Sequence, residues 1–192
     1  MQPAIFLDRD GVLIENREDY VRDWSQVVIF PKAIEALSKS VVEKYKIVIV
    51  TNQSAVGQNL ITIETAREIN DKLAIIVKQM GGHVDGIYMC PHIPEDHCLC
   101  RKPQPGMLLQ AARELSLDLS ASWMIGDAWS DLLAGQAAGT RGTIMVKTGR
   151  GARQLSLSRP EHIKEHFVFE DVHEAIHAIL DLDRRPYDSN TD

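Results

Sequence analysis

Near the start of the chain, the stretch Ala4-Ile5-Phe6-Leu7-Asp8-Arg9-Asp10-Gly11 joins four apolar residues directly to two aspartates and a glycine. A short, continuous apolar run is typical of a strand that is covered on both faces of a parallel sheet. Asp8 and Asp10 are two residues apart, so they should project to the same side of the strand end. Two like charges this close cost free energy unless a cation lies between them or one of the carboxyl groups keeps its proton. This stretch therefore predicts a buried first strand that ends in an acidic site.

Five further apolar runs of similar length follow along the chain, at 46–50, 86–89, 122–125, 143–146 and 167–169. Between the runs, apolar residues recur at the three-to-four spacing of amphipathic helices in 32–45, 62–80, 106–115, 130–138 and 172–182. Alternating strands and helices predict an α/β fold with a doubly wound, Rossmann-like parallel sheet. We expect a single domain over 1–183 and a flexible polar tail over 184–192.

The composition of the 192-residue chain narrows the classes of function. Its net charge is −6, from 27 acidic residues against 21 Lys and Arg. General binders of nucleic acids or membrane surfaces need a basic excess, so neither partner is expected. No apolar run approaches the roughly 18 residues of a membrane span, and residues 1–11 do not resemble a signal peptide. We therefore expect a cytoplasmic protein, and the lack of an obvious exposed apolar segment favours a monomer.

Several of the apolar runs end abruptly in polar residues, or are followed by them, and these residues carry complementary chemistry. They are Thr51, Asn52, Arg101, Lys102, Asp127 and Asp131. The carboxyl ends of parallel strands share one edge of the sheet, where ligands bind. Acids, hydroxyl or amide donors and a lysine suit phosphoryl transfer assisted by Mg²⁺, which prefers oxygen ligands. Because no nucleotide-binding loop is present, the sequence predicts that Asp8 attacks phosphorus and that Asp10 acts as general acid and base.

Taken in order, these residues resemble the four motifs of the haloacid dehalogenase (HAD) superfamily of phosphatases. The motifs read Asp8-Arg9-Asp10-Gly11, Thr51-Asn52-Gln53-Ser54, Arg101-Lys102-Pro103 and Gly126-Asp127 followed by Asp131. The resemblance covers about three quarters of the chain, from 4 to 149. More narrowly, the chain resembles the branch of this superfamily that contains heptose 1,7-bisphosphate phosphatases and histidinol-phosphatases.

The resemblance implies a role for each motif. Asp8 would be the nucleophile that forms an aspartyl-phosphate, Asp10 the general acid and base, and Thr51 and Lys102 the residues that hold the phosphoryl group. Mg²⁺ would bind Asp8, the main-chain carbonyl of Asp10, and Asp127. The implied contacts to substrate are Asn52, Gln53, Ser54 and Arg101. The implied reaction removes the C7 phosphate of D-glycero-D-manno-heptose 1,7-bisphosphate, with histidinol phosphate or another sugar phosphate as the alternative substrate.

No separate cap domain fits between the motifs, because one helix, one strand and a loop fill each interval. The segment 14–30 and the cysteine loop must therefore cover the site. Asn16, Arg17, Asp19 and Tyr20 are expected at its mouth, with Asn16 and Tyr20 as candidate contacts to substrate.

The chain also departs from its relatives near the pocket. Ala128 and Gln58 stand where basic residues are frequent, which puts recognition of a doubly phosphorylated sugar in doubt but not the hydrolysis. Trp129 is a candidate for the pocket wall because it lies between two site aspartates. Arg150 and Arg153 lie near two glycines, at 149 and 151, and are expected to face solvent, with contact to an anionic substrate as the alternative.

All three cysteines fall within eleven positions, in Cys90-Pro91-His92 and Cys98-Leu99-Cys100. Three thiols and one imidazole match the ligand set of a structural, tetrahedral zinc site, and the relatives carry the same loop. A zinc-binding loop directly before Arg101 and Lys102 would fix where these two cations point. His97 is a rival ligand to His92, and reduced structural cysteines are the alternative to a metal.

Two other classes of protein fit parts of this pattern. A signalling receiver domain also places acids, a threonine and a lysine around a phosphorylated aspartate on a parallel sheet. Its phosphoryl group must persist, however, and Asp10 would shorten the life of such an intermediate. An inactive scaffold would keep the fold without the chemistry, yet every catalytic position is filled. The sequence therefore favours a Mg²⁺-dependent phosphatase that acts on a small phosphorylated metabolite.

Overall fold

The computed structural model describes residues 1–38 and 42–184. The flexible tail predicted over 184–192 lies outside the described residues except for Arg184, which ends the last helix. Residues 39–41 of the helix predicted over 32–45 also lie outside the described part of the chain. The extent of the single domain stays a prediction.

Six parallel strands form the sheet, in the order β3-β2-β1-β4-β5-β6. The strands are β1 (Ala4–Leu7), β2 (Lys46–Asn52), β3 (Gly86–Cys90), β4 (Trp123–Gly126), β5 (Gly142–Val146) and β6 (Phe167–Phe169). The predicted doubly wound parallel sheet is therefore confirmed, with each strand close to its predicted run. The strand order reverses between β1 and β4, and ligands bind beyond the carboxyl ends of strands at such a switch point.

Helices cover both faces of the sheet. They are α1 (Pro31–Ala36), α2 (Ser54–Gly57), α3 (Ile63–Gln79), α4 (Gly106–Glu114), α5 (Trp129–Ala138), α6 (Gly151–Ser156) and α7 (Val172–Arg184). The prediction of one helix over 32–45 is wrong, because α1 ends at Ala36 and Ser38 instead forms an isolated bridge with Gly82. Within the described part of the chain, no helix is long and apolar enough to cross a membrane.

Each face of the sheet carries its own hydrophobic cluster, which explains why the apolar runs are continuous. Along β1, Ile5 and Leu7 belong to one cluster, whereas Ala4 and Phe6 belong to the other. The first cluster includes residues of α1, α3 and α7, and the second includes residues of α4 and α5. Because both faces are buried, the strands are held firmly, and their polar carboxyl ends are fixed relative to one another.

Candidate active site

The polar strand ends meet in one cleft of about 740 Å³ at the switch point of the sheet. Asp8 follows β1 and lines the cleft, and Asn52, the last residue of β2, lines it as well. Asp127 follows β4 and is fully buried next to Asp8. Other residues that line the cleft are Asp10, Asn16, Arg17, Tyr20, Gln53, Ser54, Arg101, Lys102, Asp131, Arg150 and Arg153.

Three buried carboxylates share this site with a single buried lysine. Oxygen atoms of Asp8, Asp127 and Asp131 lie within 4.8 Å of one another. The Lys102 ammonium donates to Asp8 Oδ1 at 2.8 Å and to the Val50 carbonyl at 2.7 Å, and it pairs with Asp131 Oδ1 at 2.7 Å. All three of its donor directions are therefore used.

This balance of charges acts on the protonation of Asp8. Burial is the largest effect on the Asp8 carboxyl and raises its pKa to about 7. The positive charge of Lys102 opposes this rise in pKa, and the negative charges of Asp131, Asp127 and Asp10 add to it. Burial alone would lower the pKa of Lys102, but attraction to Asp131 and Asp8 raises it. The lysine therefore stays charged, and the site as a whole needs a further cation.

The Asp127 carboxylate has one occupied oxygen and one unoccupied oxygen. Its Oδ2 accepts hydrogen bonds from Asn16 Nδ2 and, at 2.7 Å, from the Arg150 backbone N–H. Its Oδ1 is buried and has no hydrogen-bond partner among the described residues. Burial, followed by repulsion from Asp131, raises the pKa of Asp127 to about 6. A buried acceptor without a donor is costly, and a divalent cation that prefers carboxylate oxygens would satisfy it.

Two glycines make room for this carboxylate. Gly11 has φ of +90° and Gly149 has φ of +58°, a region that residues with a side chain rarely adopt. A Cβ atom added at either position would overlap the carboxylate of Asp127. The backbone thus approaches Asp127 from two sides of the site.

Asp10 lines the cleft and has its own hydrogen-bond partners. Its carboxylate accepts from Arg9 Nε at 3.0 Å and from Arg9 Nη2 at 3.1 Å. It also accepts from Gln53 Nε2 at 2.9 Å, and the same nitrogen donates to Thr51 Oγ1 at 2.8 Å. Gln53 therefore links the candidate acid and base to the candidate phosphoryl contact Thr51, which is fully buried.

The loop that carries Arg101 and Lys102 is tied to the end of β2. Asn52 donates to the Lys102 carbonyl and accepts from the Lys102 backbone N–H, both at 3.1 Å. Arg101 Nη1 donates to Ser54 Oγ at 2.8 Å and to the His92 carbonyl at 3.0 Å. These contacts hold Lys102 in its buried position beside Asp8.

The segment 14–30 forms one wall of the cleft, as predicted. Asn16, Arg17 and Tyr20 line it, whereas Asp19 does not and pairs with Arg17 instead. The Tyr20 hydroxyl accepts a hydrogen bond of 2.8 Å from Gln58 Nε2. Gln58, which directly follows α2, therefore connects that helix to this wall.

The cysteine loop forms a compact cluster. Cys100 Sγ lies 3.3 Å from both Cys90 Sγ and Cys98 Sγ, and His92 Nδ1 lies 3.3 Å from Cys100 Sγ and 3.5 Å from Cys90 Sγ. Around a tetrahedral zinc ion, two sulfur ligands are about 3.8 Å apart and a sulfur and a nitrogen about 3.5 Å apart, given the usual Zn–N and Zn–S bond lengths. The distances observed between these atoms therefore lie within about 0.5 Å of those separations. The structure brings His92 into this cluster and leaves out the rival ligand His97.

The protonation of the thiols differs across the cluster. Burial raises the pKa of Cys90. At Cys98, burial acts in the same direction, but hydrogen bonds from Cys100 and from the Arg101 backbone outweigh it and lower the pKa to about 7. Because thiolates are the form that binds metal, the cluster already favours one ligand in its binding state.

The structure settles three open points about the pocket wall. Trp129 does not line the cleft. It packs with Leu132, Met145 and Ile163, and its Nε1 donates to the Gln154 carbonyl at 3.0 Å. Arg150 and Arg153 do line the cleft: Arg150 directly follows Gly149 and precedes α6, and Arg153 lies within that helix. A helix of six residues is too short to show a helical period in the sequence. The alternation of glycine and arginine over residues 149–153 was the only feature of the sequence that could indicate arginines in the cleft.

Comparisons with known proteins point to one family. Residues 99–175 match the HAD-hydrolase-like family. Two curated relatives are D-glycero-beta-D-manno-heptose-1,7-bisphosphate 7-phosphatases, from Pseudomonas aeruginosa (34% identical, 92% of this chain and 97% of the relative) and Pasteurella multocida (40% identical, 86% and 92%). The crystal structure of D,D-heptose 1,7-bisphosphate phosphatase from B. bronchiseptica, complexed with magnesium and phosphate, matches with a TM-score of 0.85 and 35% identity, over 94% of this chain and 99% of that chain. The chain therefore belongs to the HAD-like hydrolases, in the group of phosphatases that includes the heptose 1,7-bisphosphate 7-phosphatases.

Proposed function

We propose that this chain is a Mg²⁺-dependent phosphatase that removes the C7 phosphate of D-glycero-β-D-manno-heptose 1,7-bisphosphate through an aspartyl-phosphate intermediate. The observation that carries the proposal is the buried group of Asp8, Asp127 and Asp131 around Lys102. The activity for which the relatives are named, and the magnesium and phosphate bound by the B. bronchiseptica enzyme, support the proposal.

Mg²⁺ would be held by Asp8, Asp127 and the main-chain carbonyl of Asp10. The Asp127 oxygen that lacks a partner among the described residues fits this assignment, because it is buried and negatively charged. When bound, Mg²⁺ orients the phosphoryl group and offsets the negative charge that develops on it. Asn16 and the Arg150 backbone hold the other oxygen of Asp127 and so fix the direction of the carboxylate.

In the first step, Asp8 attacks the phosphorus atom of the substrate. Lys102 holds Asp8 Oδ1, which leaves the second oxygen to form the new O–P bond. The bond between phosphorus and the C7 oxygen breaks, and Asp10 gives its proton to that oxygen. The Thr51 hydroxyl accepts from Gln53, and its hydrogen is left for a phosphoryl oxygen.

In the second step, water attacks the phosphorus atom of the aspartyl-phosphate. Asp10 is now ionised and takes a proton from the water as it attacks. The bond between phosphorus and Asp8 breaks, inorganic phosphate leaves, and the Asp8 carboxylate is regenerated. Lys102 and Asp131 keep the same geometry in both steps, so that Asp8 returns to its starting position.

The charge of the cleft suits an anionic sugar. Arg17, Arg101, Arg150 and Arg153 all line it, so positive charge is present although Ala128 and Gln58 are uncharged. Arg101 uses Nη1 to bind Ser54 and the His92 carbonyl, which leaves its other donors for substrate. Asn16, Tyr20, Asn52, Gln53 and Ser54 are the proposed neutral contacts.

The cysteine cluster is proposed to hold a structural Zn²⁺. Its ligands are Cys90, His92, Cys98 and Cys100, whose mutual distances fit a tetrahedron. The His92 carbonyl accepts from Arg101, so the metal loop fixes one side of the cleft. The cytoplasmic location and the monomeric state stay predictions.

The test is phosphate release by the purified protein with Mg²⁺ from both anomers of the heptose bisphosphate, histidinol phosphate and glucose 6-phosphate. We expect kcat/KM for the β-anomer to exceed the others by about 100-fold, which corresponds to about 2.7 kcal/mol of transition-state binding. Similar low rates with every ester would overturn the substrate assignment. No release from any ester, or full activity of the Asp8→Asn variant, would overturn the phosphatase mechanism.

A further inference from the structure

Arg9 is a buried cation that the proposed mechanism does not use. It lies between Asp8 and Asp10 in the sequence, and only 1% of its surface is exposed. It is also the largest of the fully buried side chains, and it does not line the cleft. Any influence on the reaction must therefore pass through another residue.

The neighbour that Arg9 reaches in the cleft is Asp10. Arg9 Nε and Nη2 bind the two oxygens of the Asp10 carboxylate, at 3.0 and 3.1 Å. Arg9 Nη1 donates to Asn70 Oδ1 on α3 at 2.8 Å, and Asn70 is itself buried. A chain of contacts thus runs from α3 through the guanidinium to the carboxylate in the cleft.

The geometry of this chain limits the motion of Asp10. A planar guanidinium that binds both oxygens fixes the rotation of a carboxylate, which the single ammonium of a lysine does not. Asn70 holds the far side of the same plane, so the guanidinium cannot rotate freely. Burying an unpaired cation would be costly, which keeps Arg9 on these partners.

We propose that Arg9, anchored by Asn70, is a positioning residue that holds Asp10 where it exchanges its proton with the leaving oxygen and the water. The inference rests on the proposed function, because it needs Asp10 as acid and base. If Arg9 acts in this way, α3 helps to position Asp10 through Asn70, although this helix lies outside the four motifs.

The test compares two substrates whose leaving groups differ in their need for a proton. The heptose bisphosphate has an alkoxide leaving group that depends on the acid, whereas p-nitrophenyl phosphate has a leaving group that does not. Arg9→Lys keeps the positive charge and loses the planar fork. The value of kcat/KM covers the steps up to departure of the leaving group, so it excludes the later water attack in which Asp10 acts as base on both substrates. We expect Arg9→Lys to lower kcat/KM about 30-fold on the heptose ester and less than about 3-fold on p-nitrophenyl phosphate, since small displacements of reacting groups cost up to about 100-fold.

A second variant covers the case in which Arg9→Lys does not fold, as judged by circular dichroism. Asn70→Ala keeps the fork on Asp10 and removes only its anchor, so we expect the same substrate-dependent loss at about 5-fold. Arg113→Lys, on the exposed surface of α4, is the matched control and should leave both rates unchanged.

Equal losses in kcat/KM on the two substrates in both folded variants would overturn the inference, since a merely structural role lowers kcat/KM on both alike. So would unchanged rates on the heptose ester. If the unmodified enzyme releases phosphate from neither ester, the proposed function itself fails, and this inference falls with it.

Discussion

Asp131 makes two buried contacts through two different oxygens, so replacing it with asparagine has a calculable cost. Its Oδ1 pairs with Lys102 Nζ at 2.7 Å, and its Oδ2 accepts from the Ala128 backbone N–H at 3.0 Å. The amide of Asp131→Asn keeps one acceptor, so one contact is lost and an N–H group then faces another donor. Losing a hydrogen bond to a charged, buried group costs about 2 kcal/mol.

This cost sets the expected change in thermal stability. For a chain of 192 residues, a loss of about 2 kcal/mol should lower Tm by about 4–8 °C. Lys102 keeps its bonds to Asp8 and to the Val50 carbonyl, so the variant should remain active. We expect kcat to fall about tenfold, the equivalent of about 1.4 kcal/mol of transition-state stabilisation.

The assay pairs thermal unfolding, followed by circular dichroism, with phosphate release on the heptose ester. Asp71→Asn, an exposed residue of α3, removes the same charge and is the control, with no expected change in either quantity. If Asp131→Asn unfolds within about 1 °C of the unmodified protein and turns over at the same rate, the contact of Asp131 with Lys102 does not stabilise the site, and the reasoning is refuted.

Two further predictions concern the metals and the buried acids. Metal analysis of protein purified without chelator should find one zinc ion per chain. The Cys98→Ser variant should lose this zinc and raise KM more than it lowers kcat. A fully folded protein without zinc would contradict the assignment of a tetrahedral zinc site. In protein freed of divalent cations, folding raises the pKa of Asp8 from 3.8 to about 7 and the pKa of Asp127 from 3.8 to about 6. Between about pH 4 and about pH 7 the folded state therefore holds protons that the unfolded chain has lost. These two groups make the folded protein less stable as the pH rises through that range. Mg²⁺ favours the ionised carboxylates, so the rise in Tm on adding Mg²⁺ should be larger at about pH 8 than at about pH 5, and an equal rise at both would contradict the charge balance of the site.

The strands and the motif residues at their ends could be predicted from the sequence because each is a local pattern. The continuous run of β1 reports burial on two faces, and Asp8 and Asp10 follow it directly. The cluster of three cysteines and His92 could be predicted for the same reason, since its four side chains lie within eleven positions of the sequence.

What the sequence could not predict depends on contacts between distant positions. Nothing in the pattern around Arg9 indicates that its guanidinium binds Asn70, which is 61 positions away. The two short helices α2 and α6 have too few residues to show a helical period, so Arg150, which precedes α6, and Arg153 within it were not placed in the cleft. The end of α1 at Ala36 follows from the bridge between Ser38 and Gly82, a tertiary contact that overrides the apolar spacing of 32–45.

The measurement that tests the central claim most directly is the covalent state of Asp8 during turnover. The enzyme and its Asp10→Asn variant are mixed with the heptose bisphosphate and Mg²⁺, quenched in acid, digested, and analysed by mass spectrometry of the peptide that contains residues 4–11. The account predicts one phosphoryl group on Asp8, formed more slowly in Asp10→Asn because the leaving oxygen is then not protonated, and none in Asp8→Asn. A phosphoryl group on another residue, or turnover by Asp8→Asn at the rate of the unmodified enzyme, would contradict the account.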